Sequence, residues 1–312
     1  MSGILIQALQ AILILAIAPL LTGIVKTVRA RAAGRRGPSP LQPYRDLRKL
    51  WLKESLLIEG ASPFHAKAPL LILVSMALAA ALLPSASRDL ITIGIADLLV
   101  VIGLLALGRA MQVLAALESR TAFSGQGVGR ELLTAVAAEP VLLVGLMGVV
   151  QVAGTSDLAG ASSSLAAAGV NVSLALALVA LILAALAEAG RMPFDNPSTH
   201  LELTMVHEAM VLDYAGRELA CIEAAKSLRL TVLLALLAAL FLPFGTAASG
   251  DWLGALIGVP LWIAKMIGLT LALGIGEATV AKLRVFRVPE LLALGLLCGL
   301  LAVVFLLLGG RV

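Results

Sequence analysis

The 312-residue chain is 60% hydrophobic and only 13% charged, with a formal net charge of +4. Soluble domains carry about 25% charged residues, so this composition excludes an ordinary soluble protein and indicates an all-α integral membrane protein. The two cysteines, Cys221 and Cys298, lie far apart, which excludes a disulfide framework and an iron–sulfur cluster held by this chain alone. The small positive charge fits contact with anionic lipid headgroups, so we expect no nucleic acid partner.

Apolar runs of membrane-spanning length recur along the whole chain. A hydrocarbon core about 30 Å thick requires about 20 apolar residues per helix. We predict about eight transmembrane helices in a single polytopic membrane domain, residues 1–312. We expect the first to be a span rather than a cleavable signal, because no basic residues precede it. The windows are 3–25, 68–87, 91–117, 132–153, 167–189, 228–248, 252–281 and 288–309.

Lysine and arginine concentrate in alternate connections between these windows. Nineteen of the 23 lie in or directly beside the four segments 26–67, 118–130, 190–227 and 282–287. Cytoplasmic loops of membrane proteins retain such an excess of cations. We therefore predict that all four segments face the cytoplasm and that both termini lie outside.

Residues 41–58 combine apolar and charged side chains at helical spacing. This pattern predicts an amphipathic helix that lies in the membrane interface, with a basic rim around its apolar face. Gly37–Pro40 separates it from the first span, since proline interrupts a helix. Such a helix serves either as a membrane anchor or as a docking platform for a soluble partner. Its apolar residues are Leu47, Leu50, Trp51, Leu56 and Leu57.

The acidic residues concentrate in the segment 188–223. Pro193 and Pro197 favour extended backbone near its start. Thr199–Glu202 fits a capping box that opens a helix, and Gly216 fits the residue that follows its end. That helix is too apolar for water and too acidic for lipid, so we expect a cytoplasmic acidic helical loop packed beneath the membrane domain. Its acids are Glu188, Asp195, Glu202, Glu208, Asp213, Glu218 and Glu223.

Three short motifs begin like catalytic or ligand-binding sequences without completing them. His207–Glu208 lacks the second histidine of a zinc-protease helix, because Val211 stands at that position. His200 and His207 share a helical face but have no obvious further metal ligands. The glycine-rich 125–129 follows no strand, so we predict a flexible loop rather than a phosphate cradle. We predict no catalytic residue and no metal site.

Charged residues inside the predicted spans are a further signal, above all Arg109, Glu139, Lys265 and Glu277. Each ionised side chain costs at least ~2.5–3.5 kcal/mol at the bilayer centre and is functional by default when it faces other helices. Arg109 and Glu277 lie close enough to helix ends to reach the headgroups by snorkelling. Lys265 is too deep for this and Glu139 too short, which favours a proton relay or an ion pair for both.

Two long motifs resemble the quinone-site membrane subunit of respiratory complex I. The similarity is closer to its homologue in membrane-bound [NiFe] hydrogenases, the formate hydrogenlyase subunit 4 type. The first motif comprises Arg36–Pro38, Leu41–Pro43, Asp46, Lys49–Leu50 and Lys53–Glu54. The second comprises Glu188, Arg191, Pro193–Met205, His207–Met210 and Asp213–Tyr214, and Arg284–Glu290 adds support near the end.

The resemblance covers essentially the whole chain. It implies a subunit without cofactor in a bacterial or archaeal cytoplasmic membrane, with antiporter-like membrane subunits beside it. It also implies hydrogenase-like large and small soluble subunits and an Fe–S subunit, which carry the NiFe centre and the Fe–S clusters. The implied docking residues are Arg36, Gln42, Asp46, Lys53, Glu54, Arg191, Asp195, His200 and Arg217. The implied proton path comprises Glu139, Glu188, Glu202, Glu208, Asp213, Lys265 and Glu277.

One departure from the complex I pattern separates the two branches. Complex I relatives have a carboxylate-rich stretch where this chain has Asn196, Ser198, Thr199 and His200. This favours the hydrogenase branch over a quinone-binding subunit of NADH:quinone oxidoreductase, which stays an alternative. A stand-alone ion transporter is a further alternative, although no inverted repeat of broken helices is visible. The electron donor, formate or carbon monoxide, and the transported ion, H⁺ or Na⁺, stay open.

Overall fold

The computed structural model describes the chain except for residues 1, 57–59, 61, 88–95, 170, 196–205, 248–251 and 310–312. The described residues form ten α-helices and no strand longer than an isolated bridge. The helices are α1 Ser2–Ala32, α2 Gln42–Trp51, α3 Pro63–Ala81, α4 Leu98–Glu118, α5 Ala122–Ala153, α6 Leu158–Ala168, α7 Val172–Glu188, α8 Gly216–Phe241, α9 Trp252–Thr279 and α10 Val288–Gly309.

The prediction of an all-α integral membrane protein is confirmed. Seven of the described helices, namely α1, α3, α4, α5, α8, α9 and α10, are long and apolar enough to cross a membrane. The remaining predicted span, 167–189, corresponds to α7, whose 17 residues lie at the lower limit of about 17 for a spanning helix. The short helix α6 was not predicted.

The glycine-rich segment 125–129 is helical, so the prediction of a flexible loop is wrong. It lies in the first turns of α5, where the Thr121 hydroxyl accepts a hydrogen bond from the Ser124 amide. A Cβ on Gly127 would lie 3.0 Å from the Cβ of Ala209. The absence of a side chain therefore lets α5 pack directly against the segment that precedes α8.

Gly216 is the first residue of α8. The prediction that it follows the end of a helix in the acidic segment is therefore wrong. The described part of that loop, 206–215, consists of turns around the 3₁₀ helix Glu208–Met210. Gly216 has φ +59°, and a Cβ there would lie 2.4 Å from the Glu54 carbonyl oxygen, so only glycine fits. The expected capping box at Thr199–Glu202 lies outside the described residues.

Helix α8 is the centre of the bundle. Of the most apolar 18-residue stretch of α8, 78% is buried, against 22% for both α9 and α10. It contacts α3 and α1 extensively, while α10 packs on α5 and α7, and α9 packs on α1. The predicted window 228–248 missed its first turns because they carry charged residues. These are Arg217, Glu218, Glu223 and Lys226.

The predicted amphipathic helix is present as α2 and is tied to α1. The Tyr44 hydroxyl donates to the Ala16 carbonyl oxygen, and Thr27 Oγ1 donates to the Pro38 carbonyl oxygen at 2.8 Å. Burial raises the pKa of Tyr44, so its hydroxyl keeps the proton that it donates. Apolar side chains remain exposed on and beside α2, as an interfacial helix requires: Leu41, Trp51, Leu52 and Leu56.

We expect Gly23→Ala to destabilise the attachment of α2. A Cβ at Gly23 would lie 2.0 Å from the Pro40 carbonyl oxygen, so the chain leading into α2 has to move. Such overpacking costs about 1–3 kcal/mol. Gly268→Ala in α9 is the matched control, since nothing lies within 4 Å of its Cβ position. Thermal unfolding in mild detergent should show a lower midpoint for Gly23→Ala alone, and equal midpoints would contradict the contact.

Candidate functional site: a buried charge network around Arg109

Arg109 of α4 binds three carboxylates at once. Its Nη2 lies 2.5 Å from Glu188 Oε2, its Nε lies 3.2 Å from Glu131 Oε1, and its Nη1 donates to Glu139 Oε1 at 3.2 Å. The Arg109 side chain is only 4% exposed. It lies nine residues, about 14 Å, from the end of α4 that joins a basic loop. Arg109 and Glu139, two of the charges predicted inside the spans, thus meet in one compact ion cluster.

The local helix geometry explains why these carboxylates converge. Glu131, Ala135 and Glu139 are four residues apart on α5, so they form one row facing α4. Glu188 ends α7, which packs against α5. The small Ala135 between the two acids leaves room for the guanidinium to reach both of them.

A second guanidinium, from Arg229 of α8, lies beside the cluster. It is buried and interacts electrostatically with Glu131 and Glu188. A Cβ on Gly108 would lie 3.6 Å from Arg229 Nη2, so the Arg229 guanidinium reaches across to α4 beside Arg109. Three carboxylates therefore share two guanidiniums. When all five groups are ionised, the cluster carries one excess negative charge, which a proton or a further cation must balance.

His207 extends the network from the loop before α8. Its Nδ1 lies 3.2 Å from Glu131 Oε2, and its ring covers Gly190, whose Cβ position would lie 2.4 Å from the ring Cδ2. Burial lowers the pKa of His207 to about 3, helped by Lys226, Arg229 and Arg109 and opposed by Asp195. His207 is therefore neutral at physiological pH.

A small cavity lies between this histidine and α8. Its volume is about 20 Å³, which is room for roughly one water molecule. Its polar lining consists of Gln112, His207, Lys226 and Arg229. Lys226 is partly exposed and pairs with Glu208 at 2.5 Å. The cavity thus connects the partly exposed Lys226–Glu208 pair to the buried cluster.

Glu277, expected in the proton path, lies in a second buried ion cluster. Its carboxylate is 3.4 Å from Arg191 Nη1 and 3.8 Å from Arg29 Nη1. Burial lowers the pKa of Arg191, and Glu277 opposes this shift. Nearby, Asp195 accepts a hydrogen bond from Lys282 at 2.7 Å. Arg191 and Asp195, two of the expected docking residues, are thus buried in internal ion pairs.

The other expected proton-path residues are dispersed. Asp213 lies in a turn, where Ser124 and Thr121 donate to its Oδ2 at 2.8 and 3.2 Å. The Lys265 ammonium donates to the Leu242 and Phe244 carbonyl oxygens beyond the end of α8. Leu242 lies 13 residues, about 20 Å along the α8 axis, from Arg229. Lys265 therefore caps α8 at a distance from the cluster.

Most of the remaining expected docking residues lie at the surface around α2. Gln42 donates to Asp46 Oδ1 at 2.8 Å, one turn along α2. Glu202 and His200 lie outside the described residues. Within the described ranges, no three His, Cys, Asp or Glu side chains converge as metal ligands. The exposed docking candidates are Arg36, Asp46, Lys53, Glu54 and Arg217.

Sequence reasoning missed three members of the network: Glu131, His207 and Arg229. Glu131 stands one residue before the predicted window 132–153, so it appeared to be a loop residue. Its spacing of eight from Glu139 was the available signal, because residues four and eight apart share a helix face. His207 gave no such signal, since it reaches the cluster through a loop.

We expect Arg109→Met to destabilise the protein strongly. It leaves Glu131, Glu139 and Glu188 without their shared partner, two of them buried, and breaking a buried ion pair costs about 3–5 kcal/mol. Arg31→Met, at an exposed position near the end of α1, is the matched control. Unfolding in mild detergent should show a large loss for Arg109→Met and almost none for Arg31→Met. Partial recovery in the double variant Arg109→Met/Glu188→Gln would show that unpaired charge causes the loss.

We expect His207 to stay neutral at pH 5. The unfolded chain binds a proton at His207 below its ordinary pKa of 6.5, whereas the folded protein does so only below about 3. Between these values the residue therefore lowers stability as the pH falls. Imidazole ¹⁵N shifts of histidine-labelled protein, assigned with His207→Gln, measure this directly. A protonation midpoint near 6.5 would contradict the buried, neutral state.

Comparison with known proteins identifies the family. A family model described as NADH dehydrogenase matches residues 4–308. The chain is 33% identical to hydrogenase-4 component C of Escherichia coli, with 96% of this chain and 95% of that protein covered. It is 30% identical to formate hydrogenlyase subunit 4 of the same organism, with 98% and 99% covered.

More distant similarity extends to complex I and to an archaeal complex. The chain is 27% identical to an NADH-quinone oxidoreductase subunit of Rhodopseudomonas palustris, with 84% of this chain and 82% of that protein covered. A chain of the membrane-bound sulfane sulfur reductase, an archaeal respiratory membrane complex, shares the fold with a TM-score of 0.80 at 19% identity, covering 97% and 100%. The resemblance predicted from the two loop motifs is confirmed: this chain belongs to the NADH dehydrogenase family of membrane subunits, together with hydrogenase-4 component C and formate hydrogenlyase subunit 4.

Proposed function

We propose that this chain is the membrane-anchor and proton-path subunit of a respiratory-type membrane-bound hydrogenase of the hydrogenase-4 or formate hydrogenlyase kind. The observation that carries this is the buried cluster in which Arg109 holds Glu131, Glu139 and Glu188. Its excess negative charge favours uptake of one proton inside the membrane. Full-length similarity to hydrogenase-type subunits supports the kind of complex.

The geometry suggests an order for proton transfer. Glu208 and Lys226, partly exposed, lie at the entrance beside the small cavity. A water molecule there would pass a proton towards neutral His207, which contacts Glu131. The proton then neutralises one carboxylate, and the shared guanidinium lets the charge shift between acids without breaking the cluster. Glu139, 41% exposed, is the exit from this chain.

The exposed charges around α2 form the proposed docking platform. We place hydrogenase-like large and small subunits and an Fe–S subunit on this side, which the cation bias assigns to the cytoplasm, with both termini outside. In this proposal the Fe–S clusters and the NiFe centre belong to those partners. The platform residues that are exposed in the structure are Arg36, Asp46, Lys53, Glu54 and Arg217.

The alternative is the quinone-binding membrane subunit of NADH:quinone oxidoreductase. The chain is 27% identical to the NADH-quinone oxidoreductase relative over 84% of its length, and this similarity supports the alternative. Stoichiometric quinone in the purified complex, displaced by quinone-site inhibitors, would select this alternative. We expect none, because Asn196, Ser198, Thr199 and His200 stand where complex I relatives have a carboxylate-rich stretch.

We expect Glu188→Gln and Glu139→Gln to abolish proton-gradient formation by the whole complex in sealed vesicles. Both keep the shape of the side chain and remove its proton-binding charge, so electron transfer and assembly should be retained. Glu54→Gln, exposed and outside the bundle, is the matched control. Full pumping in both cluster variants would remove these residues from the path. Loss of assembly would instead support a purely structural ion pair.

Lys265→Met in the same assay tests whether Lys265 belongs to the proton path, as the resemblance implies. The position of the Lys265 ammonium on the carbonyls beyond α8 predicts lower thermal stability with unchanged pumping. Loss of proton pumping with intact electron transfer would show that Lys265 belongs to the proton path.

A further inference from the structure

Glu139 brings a carboxylate to the outer surface of the chain at membrane depth. It lies 14 residues, about 21 Å, from the outer end of α5 at Ala153. Its side chain is 41% exposed although Arg109 holds Oε1, whereas Glu131 and Glu188 in the same cluster are 5% and 3% exposed. Glu139 is therefore the member of the cluster that faces out of this chain.

The surface around Glu139 is otherwise apolar. Val136 and Leu143 lie one turn before and after it on the same side of α5, and Leu132 lies two turns before it. All three side chains are exposed, Val136 to 75%. We call Leu132, Val136, Glu139 and Leu143 the Glu139 face. A carboxylate surrounded by apolar side chains at this depth finds no hydrogen-bond partner in the lipid. The glutamate side chain is also too short to reach the headgroups.

The charge of the cluster indicates what covers this face. Three carboxylates share the guanidiniums of Arg109 and Arg229, so one negative charge is unbalanced. The carboxylate that faces outward is the one that a cation from outside can reach. While the cluster holds no extra proton, a basic side chain at the same depth would supply both the missing charge and a hydrogen-bond donor.

A second copy of this chain is a poor source of that cation. The described intramembrane cations Arg109 and Arg229 are buried, and Lys265 is held by the carbonyl groups beyond α8. We propose that the Glu139 face packs against a transmembrane helix of a different subunit, which places a Lys, Arg or protonated His side chain on Glu139. This inference rests on the proposed function, since that helix is then the recipient of the proton path.

The first arm of the test maps the neighbour without altering any charge. A photo-crosslinking phenylalanine analogue replaces Val136 in the whole complex in native membranes. Leu256 on α9, 72% exposed, is the matched control position. We expect the Val136 position to crosslink to another membrane subunit, at a peptide with a basic residue within one helical turn. Crosslinks only to lipid, or only to a second copy of this chain, would overturn the proposal.

The second arm reverses the charge. We expect Glu139→Lys to reduce recovery of the crosslinked subunit at least tenfold in mild detergent, and Glu139→Asp to retain it. Replacing the partner's basic residue with Glu should restore recovery with Glu139→Lys. Unchanged recovery in Glu139→Lys would overturn the proposal. The outcome is independent of pumping by Glu188→Gln, so failure of this interface and failure of the proton path are distinguished.

Discussion

The guanidinium of Arg109 is the element on which the rest of this bundle depends. A lone arginine inside the hydrocarbon region is strongly unfavourable, and so is a lone glutamate. Arg109 removes both problems by joining α4 to α5 and α7 through three short ion pairs. The helix packing has to place these groups within about 3 Å of one another. The same helix packing therefore determines both the fold and the chemistry of the site. In lipid the hydrophobic effect does not drive helices together, so the ion pairs act as specific contacts between them.

Glycine supplies the second constraint, because charged groups meet only where backbones approach closely. Gly108 lets α4 pack closely against Ser75 and Met76 of α3, Gly127 lets α5 approach Ala209, and Gly190 accommodates the ring of His207. The last two contacts bring the segment before α8 against the end of the membrane domain. The result is a graded series of environments, from the partly exposed Lys226–Glu208 pair to the buried Arg109 cluster.

Much of this architecture follows from the sequence, and the exceptions have physical causes. Hydropathy located the spans correctly because a run of about twenty apolar residues is stable mainly as a helix that crosses the membrane. Hydropathy did not place the start of α8 or the first turns of α5 correctly. In both regions the helix continues through polar residues, which are surrounded by protein rather than by lipid. Arg109 and Glu139 were visible as charges inside spans. Glu131 and His207 lie outside the predicted windows, and Arg229 lies at the edge of one. Their meeting depends on tertiary packing, which a hydropathy window does not contain.

Pro140 adds a mechanical property to α5. The helix is continuous over 32 residues, yet proline has no amide hydrogen to donate and its ring crowds the preceding turn. The hydrogen-bond ladder is therefore interrupted directly after Glu139. The part of α5 on the loop side holds Asp213 through Ser124 at one end and both cluster glutamates further along. The missing hydrogen bond lets that part tilt about the proline as one unit while the far half of α5, where Gly148 packs on Ala302 of α10 and Ala177 of α7, stays in place. Such a tilt would displace Glu131, nine residues and about 14 Å from Pro140, further than Glu139 beside it.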